Sequence, residues 1–237
     1  MRRALIALAL AAAAAPALAF VLPTPALLGL FEERRDTHRF VGAEIEGVLT
    51  VFDAQGERTT APARRRMVPG GVCRVDLGEG APEAWAGQGA LYDRGTLRPP
   101  TEPALLALAQ LEALACPLLS ATKASELKKL LRALKVDTAF TGLSRQAGAP
   151  AYLIGARPWE GERPQLWLDK RTHLPVRLVG VAEGELAELR LIGYSEPATG
   201  EQHPGALELW VKGALRLRFT AQDLRGGGGL SAAELRK

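Results

Sequence analysis

At 237 residues the chain allows one or two domains, and one suffices for an all-β sandwich or barrel. Apolar residues reach 47% and charged residues 24%, which excludes global disorder. Two cysteines are too few for a disulfide scaffold or a multi-cysteine metal site. Without Arg2 and Arg3 the balance is 28 basic against 26 acidic residues, too mild for a nucleic-acid surface.

Arg2 and Arg3 open the chain, an apolar run follows from Ala4 to Ala15, and Pro16-Ala17-Leu18-Ala19 ends it with small residues. This is the order of a secretory signal peptide over residues 1–19, cleaved after Ala19. The run is short for a membrane span, which needs about 20 residues. No cysteine stands near its end to carry a lipid anchor. Arg outnumbers Lys, Ala is abundant and Asn is absent. That composition points to a GC-rich bacterial genome, and so to the periplasm. In that oxidising space Cys73 and Cys116 have two readings, a disulfide or two separately buried thiols.

The spacing of Leu27, Leu28 and Phe31 predicts a helix from Thr24 to Phe40, with Glu32-Glu33-Arg34-Arg35 facing water. From Gly42 the period becomes two. It predicts a first strand through Ile45, Leu49 and Val51, a turn at Asp53–Gly56, and strands over Thr59–Met67, Val72–Leu77 and Ala84–Tyr92. Glu102 to Ala115 is apolar nearly all round and predicts a buried helix that Pro117 interrupts. Thr122 is placed to cap a following amphipathic helix with Leu127, Leu130, Leu131 and Leu134 on one stripe. Strands are then expected at Val136–Leu143, Ala151–Ala156, Gln165–Asp169, Val176–Val181, Leu186–Tyr194, Leu207–Val211 and Leu215–Thr220. Gly226–Gly229 reads as a break before a loose tail. The pattern is α+β: a large antiparallel sheet with helices on one face, and apolar residues at both parities of several strands mean either that helices cover that face or that the sheet curls around a cavity. One domain over residues 20–225 is followed by a flexible tail, 226–237.

Catalytic and cofactor signatures are scarce. His38, His173 and His203 have no partner at metal-binding spacing, and no cofactor is expected. Ser120–Lys123 and Ser125–Lys128 repeat an S-x-x-K spacing without the companion motifs, and read as helix-start serines beside solvated lysines. Glu44 and Glu46 read as the wet face of a strand. Arg64-Arg65-Arg66 is the densest basic cluster, and reads either as a peripheral contact with lipid headgroups or as a solvated strand end.

Three stretches carry a resemblance. They are Ala151-Tyr152-Leu153-Ile154-Gly155-Ala156, Pro164-Gln165-Leu166-Trp167-Leu168-Asp169-Lys170 and Leu174-Pro175-Val176-Arg177-Leu178. Together with the leading helix and the long first strand, they resemble the periplasmic lipoprotein carriers of the LolA type and their relatives LolB and RseB. The resemblance implies a large curved antiparallel sheet, an unclosed half-barrel with helices covering the concave face, and a passive, non-enzymatic carrier whose partner is an acylated lipoprotein or lipid. Expected cavity residues are Leu49, Val51, Leu166, Leu168, Val176, Leu178, Leu209 and Val211, with Arg66 as the basic residue that latches the helical lid. The alternative is an interaction or sensor module for envelope proteins, with the same fold, a filled core and no lipid cargo.

Overall fold

The computed structural model describes residues 21–37, 40–194 and 203–237. The segment read as a signal peptide and His38 lie outside the described residues. Helix α1 (Thr24–Thr37) precedes β1 (Ala43–Phe52), β2 (Arg58–Val68), β3 (Val72–Leu77), β4 (Gly89–Asp93) and β5 (Thr96–Arg98). Helices α2 (Leu106–Leu119) and α3 (Ala124–Ala133) follow. Then come β6 (Asp137–Gln146), β7 (Ala149–Gly155), β8 (Gln165–Asp169), β9 (Pro175–Ala182), β10 (Glu185–Ile192), β11 (Ala206–Val211), β12 (Ala214–Gly226) and α4 (Ala232–Leu235).

All twelve strands join one antiparallel sheet, in the order β5-β4-β3-β2-β1-β12-β11-β10-β9-β8-β7-β6. The chain enters at the middle of the sheet and meanders out to β5. It crosses through α2 and α3 to β6 at the other edge, and meanders back until β12 pairs with β1. The sheet is curved and unclosed. Helix α2 lies in the concavity and touches β3, β4 and β5 on one side and β9 to β12 on the other. Helices α1 and α3 pack on each other and against β6. Among the described residues no helix is long and apolar enough to cross a membrane.

Several elements differ from expectation for identifiable reasons. Arg35 does not face water. It continues the Leu27–Phe31 stripe by one turn and is buried. Its guanidinium lies 5.5 and 5.3 Å from the ring centroids of Phe31 and Phe40, and its Nη2 donates to the Leu119 carbonyl at 2.9 Å. That carbonyl is an unpaired acceptor at the C-terminus of α2, where a cation is favourable. Pro117 does not interrupt α2, because it falls in the last turn, where only one ladder donor is lost. The cap of α3 is Lys123, not Thr122, and Glu126 Oε2 accepts from both backbone N–H groups, at 2.7 Å (Thr122) and 3.2 Å (Lys123). The stretch Ala84–Tyr92 splits into a 3-10 turn, Glu83–Trp85, and strand β4. A side chain at Gly89 would come within 2.2 Å of the Val75 carbonyl, so the strand can start there only as glycine.

Strand β12 runs far beyond Thr220, because β1 pairs with it out to Ala43 opposite Gly226. The segment read as a loose tail is docked on the sheet. Ser231 and Glu234 form a capping box. Leu235 is fully buried beside Val68, Val72 and Leu91, and Arg236 donates to Asp93 from Nε and Nη2 at 2.6 and 2.9 Å.

Candidate functional site

Antiparallel pairing fixes which side chains share the concave face. One row crosses seven strands: Val51, Leu217, Leu209, Leu189, Leu178, Leu166 and Ile154 are successive partners. A second row runs Ala61, Leu49, Phe219, Leu207 and Leu191. Nothing in either row is polar. Leu49, Val51, Leu166, Leu168, Leu178, Leu209 and Val211 all belong to the single core cluster that α2 completes. The concave face is therefore filled by the helix in this state.

Val176 is a correction. Strand β9 carries a bulge, with Trp167 opposite Arg177 and Leu168 opposite Pro175, so Val176 has no partner. The extra residue shifts the alternation, and Val176 packs on the other face with Ala151, Leu153 and Trp167. That outer face carries a charged and aromatic ladder. Glu188 pairs with Arg177 at 2.9 Å and with Arg190, whose guanidinium stands 4.2 Å from the Trp210 ring centroid. The Trp210 indole donates to Glu208, which also pairs with Arg218.

Arg66 is the second correction. It points to the outer face and pairs with Asp76, which Arg74 also contacts at 2.7 Å. Arg64, on the same face two positions along the strand from Arg66, pairs with Glu44. The arginine triplet is thus no basic patch, because strand alternation splits it. Arg65 alone turns inward and is completely buried. Its Nε and Nη2 donate to Glu112 Oε1 and Oε2 at 2.8 and 3.0 Å. Its Nη1 reaches Met67 Sδ at 3.1 Å and His203 Nε2 at 3.2 Å. Arginine can only donate, so His203 Nε2 accepts and its proton sits on Nδ1, 2.6 Å from the Pro204 carbonyl. Burial first, and the Arg65 charge next, push His203 down to about 3, so the imidazole is neutral.

Cys73 and Cys116 form a disulfide with Cα atoms 5.8 Å apart. Cys116 lies one helical turn beyond Glu112, and Cys73 faces Met67 across the β2–β3 ladder. A covalent bond and a bidentate ion pair thus tie one face of α2 to β2 and β3, and the Glu112 carboxylate lies within 4.8 Å of both sulfurs. Sequence reasoning missed Arg65, Glu112 and His203. Two signals were available. Glu112 is the only charged residue in Leu106–Leu119, and Arg65 shares strand parity with Ala61, Ala63 and Met67.

The Ser–Lys pairs are occupied or exposed. Ser120 Oγ donates to the Cys116 carbonyl at 2.6 Å, and Lys123 pairs with Glu32 and Asp36. Ser125 and Lys128 line a groove of about 240 Å³ with Thr24, Pro25 and Leu28. A second groove, of about 360 Å³, separates α3 from the β2–β3 and β4–β5 turns. None of the eight expected cavity residues lines either groove.

This geometry matches solved structures. A lipoprotein-sorting protein domain from Vibrio parahaemolyticus superposes with a TM-score of 0.53 at 15% identity, over 88% of this chain and 95% of its own. The fold is LolA-like. A LolA superfamily protein from Nitrosomonas europaea gives 0.50 at 12% identity, over 86% of this chain and 93% of its own. A DUF1329 family protein from Desulfovibrio piger gives 0.53 at 14%, over 90% and 97%. No protein-family model matches the sequence, and no curated protein matches it significantly. What the LolA-like chain has in common with these structures is the fold. Its buried latch and disulfide are described from its own residues.

Proposed function

We propose that this LolA-like chain is a periplasmic carrier of acyl chains, those of lipoproteins foremost, held between the concave sheet face and its helices. The observation that carries the reading is the unbroken apolar row from Val51 to Ile154 across seven strands. Two rows without one polar side chain can exchange helix contacts for acyl chains at about 0.8 kcal/mol per buried methylene. The cargo space is filled by α2 in the resting state, so loading requires part of the molecule to move. The disulfide and the Arg65–Glu112 pair keep α2 with β2 and β3. On the β9 to β11 side α2 meets the apolar core cluster, with one hydrogen bond between Gln110 and Glu185 at the rim, and that side is where the molecule opens. The buried ion pair fixes the register of α2 on β2 and β3, which suits a helix that keeps this seat while the other side opens.

Native mass spectrometry of the exported protein, purified without detergent, tests this. The expected result is added mass that organic extraction removes as acyl lipid, or a one-to-one complex once a diacylated lipopeptide is offered. A bare mass that stays bare with lipopeptide contradicts it. One observation favours a second reading, an envelope protein-interaction module: α2, Leu127 and Leu131 pack the interior solid. A bare mass together with a stable complex with an envelope protein would establish that reading.

A further inference from the structure

The groove of about 360 Å³ is a surface feature apart from the concave rows. Pro117, Ala121, Leu130 and Ala133 give it an apolar lining, to which Tyr92 adds a ring. Its volume lies within the roughly 300–1,000 Å³ range of ligand pockets. Its far wall is the backbone of two turns. Side chains built at Gly70 and Gly95 would meet nothing within 4 Å, so the wall is bare and the space beside it open.

Three charged residues line the groove. Glu126 Oε2 accepts from the N–H groups of Thr122 and Lys123, which seats its negative charge on the N-terminus of α3, and the two cations outnumber it. Arg94 and Lys129 are exposed, and neither makes a side-chain hydrogen bond or ion pair among the described residues. Asp93, the acid nearest Arg94 in sequence, is held by Arg236 through Nε and Nη2. The groove therefore joins an apolar trough to two unpaired cations.

We propose that this groove binds a single-chain anionic amphiphile, with the alkyl chain along Pro117, Ala121, Leu130 and Ala133 and the anionic head between Arg94 and Lys129. Charge complementarity selects the occupant. A neutral amphiphile leaves both cations without a partner, and a hydrophilic anion leaves the trough wet. The site does not require the core to open, so it stands or falls apart from the carrier reading.

The test is isothermal titration calorimetry of the exported chain with dodecanoate, lysophosphatidylglycerol and neutral dodecyl maltoside, all below their micelle concentrations. Dodecanoate or the lysophospholipid should bind one-to-one and more tightly than the maltoside, and the tighter of the two names the source as free acid or membrane lipid. Ala133→Trp fills the trough from an exposed helix position and should abolish binding while leaving the urea midpoint unchanged. Arg94→Asn with Lys129→Gln should weaken anion binding about three- to tenfold, down to the maltoside level, since asparagine tolerates the positive φ of 52° at position 94. Raising the salt should erase the same preference. No binding by either anion, equal binding by the maltoside, or full binding by Ala133→Trp would overturn the proposal.

Discussion

The two sides of the concavity are built differently. On the β2–β3 side, α2 is held by a disulfide and by a bidentate ion pair with no solvent exposure. On the β9–β12 side it meets a wall that carries Leu178, Leu189, Leu209 and Leu217. Apolar contact is strong but non-directional, and an acyl chain can replace it. A bond and an ion pair are specific, and nothing in a lipid replaces them. The difference says which side stays shut and which side can exchange its contacts for cargo.

The sharpest break is at the ion pair. Glu112→Ala leaves Arg65 charged and buried, and should cost about 3–5 kcal/mol in urea unfolding. The double variant Arg65→Met with Glu112→Leu should stand within about 1 kcal/mol of the parent or above it, because both desolvation costs vanish together. Removing the disulfide as Cys73→Ala with Cys116→Ala opens a 43-residue separation. Its loss should cost about 4 kcal/mol in the chain-entropy model, and dithiothreitol should then no longer change the unfolding midpoint.

On the leucine side, Leu178→Ala should cost about 2–5 kcal/mol, while Val176→Ala, which removes two methyl carbons from the outer face, should cost less. Only the first should alter lipopeptide affinity. Histidine supplies a pH test. With its folded value near 3, His203 takes up a proton on unfolding at any pH between that value and its ordinary 6.5. Stability should therefore fall by up to about 1.4 kcal/mol per unit as pH drops below 6, where carboxylates are still ionised. His203→Gln should flatten that slope. The smallest effect is expected at Arg66→Ala, which breaks a part-exposed pair with Asp76 and should cost under about 1 kcal/mol.

Much of the sheet was legible because its strands alternate cleanly. The strand Val72–Leu77 and the strand Gln165–Asp169 have the predicted bounds, and Leu49, Val51, Leu166, Leu168, Leu178, Leu209 and Val211 lie in the core cluster. What escaped depends on partners distant in sequence. Val176 faces out because a bulge opposite Leu168 shifts the alternation, and a bulge leaves no local mark. Arg65 rather than Arg66 faces the helix, since one residue of register moves a side chain to the other face. The polar end of β12 reads as loop until β1 is known to pair with it. The tail docks because Val68, Val72 and Leu91, brought together by β2, β3 and β4, leave a patch for Leu235.

The most direct test of the central claim uses a diacylated lipopeptide with a diazirine midway along one acyl chain. It is photolysed on the exported protein, and the labelled peptides are mapped by mass spectrometry. The account predicts labels on the inner face of β8 to β11, at or beside Leu166, Leu168, Leu178 and Leu209, and on the facing side of α2. Labels confined to the outer ladder around Trp210 and Arg190, or no label at saturating lipopeptide, would contradict it.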